Sequence, residues 1–108
     1  MAKDPSPKLR SRVAIVLKAM GDPHRLEILY QLRGNDRRVK ELVDSLGSSQ
    51  ANISKHLATL KSAGLIDYRQ EGVSRYYHIT DPTVFDICDV ICSTVERRIE
   101  NDASILKD

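Results

Sequence analysis

The chain has no tryptophan, and its four tyrosines and one phenylalanine bring aromatics to only 5% of 108 residues. Aromatic side chains line much of a large ligand pocket, so a bulky cofactor is disfavoured. Long apolar runs are also missing. The longest uncharged apolar stretch is Val13 to Leu17, against the ~18 residues of a membrane span, which excludes a helical membrane protein. Residues Met1 to Lys8 lack the apolar segment of a secretory signal and read as a short disordered tail over 1–8. Cysteine occurs only at Cys88 and Cys92. Two cysteines without a signal imply a reducing cytoplasm, where thiols stay free unless chemistry uses them. Residues 9–108 remain as one domain, small enough that folding buries only about 60–70% of the unfolded chain's surface.

Charge is scarce in net terms, +2, but unevenly placed. Residues 1–78 hold 14 Lys/Arg against 8 Asp/Glu, net +6, whereas residues 79–108 hold 3 against 7, net −4. A basic body with an acidic C-terminal segment fits a nucleic-acid face set apart from a second interface. A chance asymmetry of solvated charge explains the same numbers equally well.

Glycine and proline punctuate what is there. Gly21, Gly34, Gly47, Gly64 and Gly72 fall where helices should end or a turn should form. Asp22-Pro23 and Asp81-Pro82 are helix starts, because proline at the first helical position gives up only an N–H that has no partner there. Between these marks, apolar spacing is helical. Leu9, Val13, Val16, Leu17 and Met20 form one stripe. Residues 22–33 form a second, largely apolar helix that should be central. Val39, Leu42, Val43 and Leu46 give a short third helix ending at Gly47. Ser48 or Ser49 caps a fourth, with Ile53, Leu57 and Leu60 inward, closed by Ala63-Gly64. Residues 65–69 and 75–79 are rich in β-branched and aromatic residues and predict a hairpin with its tip near Glu71-Gly72-Val73. Asp81-Pro82 opens a long last helix striped by Val84, Ile87, Cys88, Ile91, Val95 and Ile99. The expected fold is mainly α with a β-hairpin, in the order α-α-α-α-β-β-α.

Two short helices joined by a Gly-Ser turn form a helix-turn-helix, and the hairpin after them is a wing. With Ile53, Leu57 and Leu60 inward, the fourth helix presents Ala51, Ser54, Lys55, Ala58, Thr59 and Ser62 outward. Small and polar side chains let a helix approach a major groove while hydroxyls and amides meet base edges or phosphates. Gln50 and Asn52 lie in the first turn, where either could pair bidentately with adenine. An ordinary solvated face would carry more Glu and Lys. The candidate DNA-binding residues are therefore Ser48, Ser49, Gln50, Asn52, Ser54, Lys55 and His56, with Arg69 and Arg75 flanking the wing tip.

Leu17-Lys-Ala-Met-Gly-Asp-Pro-His-Arg-Leu-Glu-Ile-Leu29, Ser49-Gln-Ala-Asn-Ile-Ser-Lys-His-Leu57 and Leu60-Lys-Ser-Ala-Gly-Leu-Ile66 resemble the ArsR/SmtB family of bacterial winged-helix repressors over about residues 12–82. The resemblance implies a cytoplasmic homodimer built on the first and last helices, bound to a pseudo-palindromic double-stranded DNA operator and released by an inducer. The apolar stripe of the last helix, with no later element to cover it, supports a dimer independently. The family's metal sites do not carry over. Arg38-Val39-Lys40 stands where metalloid sensors have a Cys-Val-Cys pair, and two cations there cannot hold a soft metal. The Asp-x-His…His-x-x-Glu set of zinc sensors is missing from the last helix, where Asp86-Ile87-Cys88 is followed by no histidine.

Cys88 and Cys92 share one side of that helix at i, i+4. As a pair they are either small apolar packing residues or a thiol sensor for As(III), a soft divalent metal, or reactive sulfur and oxidants. Two thiolates are too few for As(III) or a tetrahedral soft metal, so a partner chain, a water, Asp86 or Asp89 must complete such a site. His24 and His56 read as structural or phosphate-facing rather than as metal ligands, and His78 is ambiguous. No catalytic triad, phosphate loop or paired-carboxylate cleft appears, so no enzyme is expected. A thiol redox protein, and a winged-helix module for protein or RNA, are the alternatives. The i, i+4 spacing counts against the first, since redox carriers use Cys-x-x-Cys.

Overall fold

In the computed structural model, residues 4–107 are described, the side chains of 104–107 excepted. The order is α1 (Pro7–Met20), α2 (Pro23–Gln31), β1 (Arg37–Arg38), α3 (Val39–Leu46), α4 (Gln50–Ser62), β2 (Ile66–Glu71), β3 (Ser74–Ile79) and α5 (Val84–Lys107). This is the expected series of helices and hairpin, with one short strand added.

Each boundary has a local cause. Ser6 caps α1, its hydroxyl accepting from Leu9 N at 3.2 Å. The helix thus starts at Pro7, and the tail expected over 1–8 loses its last two residues to it. Residues 1–3 of that tail lie outside the described residues. Asp22 caps α2 by accepting from Arg25 N at 3.0 Å, with Pro23 at the first helical position. At the other end of the chain, Asp81 and Pro82 form a turn rather than the first residues of α5. Asp81 accepts from both the backbone N–H and the hydroxyl of Thr83, which holds its carboxyl below the usual range, and α5 begins at Val84.

Gly47 and Gly64 hold left-handed backbone conformations that other residues rarely adopt. Gly47 closes α3 in the left-handed region at φ 63°. Gly64, at φ 80°, donates to Lys61 O while Leu65 N reaches back to Leu60 O at 3.1 Å. This paired closure turns the chain directly from α4 into β2.

The core lies where α2, α3 and α4 meet the sheet. Ile28, Leu29, Leu42, Ile53, Leu57, Leu60 and Ile66 are fully buried. Val84, Phe85 and Cys88 bring the start of α5 into the same cluster. The sheet is antiparallel in the order β1-β3-β2. Its register pairs Ile66 with Ile79, Tyr68 with Tyr77 and Arg69 with Tyr76. Side chains alternate across a strand, so Ile66, Tyr68, Tyr77 and Ile79 share the core side, where the two tyrosine rings lie 5.3 Å apart. β1 is the strand the sequence does not announce. Two consecutive arginines carry no strand signal, and they pair with Tyr77 and Tyr76 because β3 leaves that edge open.

Candidate nucleic-acid interface

The helix-turn-helix comprises α3, the Gly47-Ser48-Ser49 turn and α4. The turn is knitted by its own side chains. Ser49 accepts from Asn52 N at 3.1 Å, and Asn52 Nδ2 donates to Ser48 Oγ at 2.9 Å. These three candidate DNA ligands therefore also shape the turn, and Asn52 is half-buried. Gln50, Ala51, Ser54, Lys55, Ala58, Thr59 and Ser62 form the exposed face opposite the buried Ile53, Leu57 and Leu60. Thr59 spends its hydroxyl on Lys55 O at 3.2 Å. Gln50, Ser54 and Lys55 make no side-chain hydrogen bond or ion pair among the described residues, so their polar ends are available.

The two wing arginines differ. Gln70 pairs with Arg75 in the register, which puts Arg75 on the core-side face beyond the core's edge and Arg69 on the opposite face. Arg69 makes ion pairs with Asp36 and, at 3.2 Å, with Glu71, and its guanidinium lies 4.9 Å from the Tyr76 ring centroid. The hydrogen bond to Asp36 is the largest cause holding its pKa above the ordinary arginine value. Arg75 sits 4.5 Å from the Tyr68 ring centroid and is in no ion pair among the described residues. At the tip, Val73 is fully exposed.

His56 does not join the outward face. It is half-buried, with Nδ1 3.5 Å from Arg25 Nη1, and its ring stacks on His24 at 5.6 Å and 15°. Arg25 also donates through Nε to Ala19 O at 2.5 Å and through Nη2 to Lys18 O at 3.1 Å. One guanidinium thereby ties the end of α1 to α4. Only its place in the Asp22-Pro23-His24-Arg25 start of α2 hinted at this role.

Away from this face, Cys88 is buried and Cys92 exposed. Both line an apolar groove of about 380 Å³ with Leu17, Met20, Tyr30 and Ile91. Burial first, then the Cys88 thiol, pushes the Tyr30 hydroxyl's pKa up. Asp89 pairs with Arg33 at 4.0 Å. An apolar stripe continues from the groove along Ile87, Ile91, Val95 and Ile99 of α5 and Leu9, Val13 and Leu17 of α1, all exposed. No described helix is long and apolar enough to cross a membrane.

A small helical body with a reading helix and a wing defines a DNA-binding transcriptional regulator rather than an enzyme. The chain belongs to the arsR family of bacterial regulatory proteins, whose family description matches residues 22–68. It is 40% identical over 81 residues to an uncharacterized HTH-type transcriptional regulator of Methanocaldococcus jannaschii, covering 74% of this chain and 91% of that one. It is 36% identical over 77 residues to the transcriptional activator HlyU of Vibrio cholerae, covering 71% of each. HlyU's structure superposes with a TM-score of 0.72 at 32% identity, over 80% of this chain and 94% of that one. The solution structure of a homodimeric winged helix-turn-helix DNA-binding domain from Mycobacterium bovis, a possible ArsR-family regulator, superposes with a TM-score of 0.77 at 31% identity. That match covers 94% of this chain and 95% of the other.

Proposed function

We propose that the protein is a cytoplasmic, homodimeric repressor that seats α4 of each protomer in successive major grooves of a double-stranded DNA operator. The observation that carries this is a pairing of two faces. A polar, unpaired α4 surface of Gln50, Ser54 and Lys55 stands on one side, and an uncovered apolar stripe on α1 and α5 on another. Dimerisation through the stripe would remove it from water. It would also set two reading helices at a fixed separation, about 34–36 Å for grooves one turn apart. The homodimeric M. bovis domain supports the same assembly. Ser48, Ser49, Asn52 and His56 then hold the turn and helix at the DNA, while the wing arginines reach phosphate or the minor groove.

Repression follows from occupancy, since a dimer across two half-sites excludes other proteins from the DNA between them. HlyU is named an activator, so the sign needs a direct test. Cys88 and Cys92 are the proposed inducer site, taking As(III), a soft divalent metal or a reactive sulfur species.

The test is duplex binding by fluorescence anisotropy across a salt series, beside single-stranded RNA of the same length, followed by transcription in a strain lacking the protein. Steeply salt-dependent, duplex-selective binding and raised transcription of the adjacent operon are expected. Equal binding to RNA overturns the DNA assignment, and lowered transcription makes the protein an activator. Arsenite, cadmium, polysulfide and peroxide are then added to wild type and to a Cys88→Ser, Cys92→Ser double variant. If the variant releases DNA as wild type does, the cysteines only pack.

A further inference from the structure

Asp22, His24 and His56 come together although they stand on two helices far apart in sequence. One potential ligand atom from each lies within 4.8 Å of the other two. We propose that these three side chains bind a first-row divalent cation of the Zn²⁺ class, and that filling this site breaks the contact between Arg25 and His56.

The donor set selects the metal. Two imidazoles and one carboxylate suit Zn²⁺, Co²⁺, Ni²⁺ or Cu²⁺, whereas Ca²⁺ and Mg²⁺ take oxygen ligands. Three protein ligands leave the fourth tetrahedral position to water. Metal–ligand bonds of about 2.0–2.2 Å place tetrahedral ligand atoms roughly 3.3–3.6 Å apart, so closing the cluster brings the ligand atoms about an ångström nearer and turns the His24 ring out of its stack on His56, so that both in-plane lone pairs reach the ion. His24 has that freedom, its side chain being 61% exposed. Asp22 can ligate without giving up its cap: Oδ2 both accepts from Arg25 N and lies 3.8 Å from His24 Nδ1, and a carboxylate oxygen carries a second lone pair.

Exclusion of Arg25 follows from imidazole chemistry. A neutral imidazole has one lone pair and one N–H. If the cation takes Nδ1, it displaces the Arg25 guanidinium directly, which now stands 3.5 Å away. If it takes Nε2, the proton moves to Nδ1, which can no longer accept from Arg25. In either case a cation and the Arg25–His56 bond cannot coexist, and like charge drives the guanidinium off. That guanidinium holds the carbonyls at the end of α1. The cation thus loosens the tie between α1 and the middle of α4. This site is separate from Cys88 and Cys92 and uses none of their sulfur chemistry.

Zn²⁺ and Co²⁺ salts are titrated into the purified full chain without DNA, so the outcome is independent of operator binding. Wild type and the Cys88→Ser, Cys92→Ser variant should each bind one Co²⁺ at this site, which in the cysteine variant shows nitrogen and oxygen ligation and no thiolate-to-cobalt charge transfer. In that background His24→Ala, at an exposed position, should raise the Kd at least about tenfold while the far-UV spectrum stays unchanged. Arg25→Gln should tighten binding severalfold by removing the competing cation. Unchanged affinity in His24→Ala, or loss of all binding in the cysteine variant, overturns the site. Weaker or equal affinity in a folded Arg25→Gln overturns the exclusion.

Discussion

At the scale of single residues, availability separates side chains that look alike in sequence. Gln50 and Asn52 are both carboxamides in the first turn of α4, yet Asn52 donates to Ser48 while Gln50 is exposed and unengaged. Gln50→Ala should therefore weaken specific operator binding by about 1–3 kcal/mol if its contact is bidentate to a base, with little change on random duplex. Equal loss on both would make Gln50 a backbone contact. The two wing arginines separate on the same ground. Arg69 gives up Asp36 and Glu71 before it can meet a phosphate, whereas Arg75 leaves only a tyrosine face. Arg75→Ala should flatten the log–log salt slope by about one unit, and Arg69→Ala by distinctly less. Anisotropy at four or five salt concentrations measures both. The reverse order would mean that DNA strips Arg69 from its carboxylates.

At the scale of elements, the angle between α3 and α4 depends on one backbone conformation. Gly47 holds φ 63°, and a Cβ built there would meet nothing within 4 Å. The penalty for a side chain is purely the left-handed backbone, about 1–2 kcal/mol for an ordinary residue. Gly47→Ala should lower thermal stability by that amount, and Gly47→Asn should recover part of it, because asparagine tolerates this region. Equal stabilities of the two variants in denaturant titrations would show that the turn relaxes to another conformation. The β1–β3–β2 sheet has a related economy. Ile66, Tyr68, Tyr77 and Ile79 supply its packed face, and the two residues of β1 add backbone pairing without adding to the core.

At the scale of the whole molecule, the described chain extends 58 × 39 × 23 Å. Its 24-residue last helix, about 36 Å long at 1.5 Å per residue, accounts for much of the length. From Asp89 to Ala103 that helix has no buried residue, and Ile91 is 51% exposed. A second copy would cover the stripe. Ile91→Asp should give monomers by analytical ultracentrifugation and lose binding to a two-half-site duplex while keeping the helical circular dichroism of the fold. Wild type sedimenting as a monomer at micromolar concentration would remove the dimer and the paired-groove geometry together.

Helices, hairpin and family were legible in the sequence, because they rest on short-range physics: 3–4 apolar spacing, Asp-Pro starts, glycine stops and a strand-rich tail to the reading helix. Ile53, Leu57 and Leu60 could be placed inward by periodicity alone, and all three are buried. Tertiary structure decided which polar groups are free, because hydrogen bonds and ion pairs between elements leave no periodic trace. Asp36 finds Arg69 across 33 positions, Arg25 finds His56 across 31, and β3 recruits Arg37 and Arg38 as an edge strand. The histidines show the same division. Taken singly, His24 and His56 read as structural or phosphate-facing residues; only the packing of α2 on α4 brings a ligand atom of each within 4.8 Å of Asp22 and of one another.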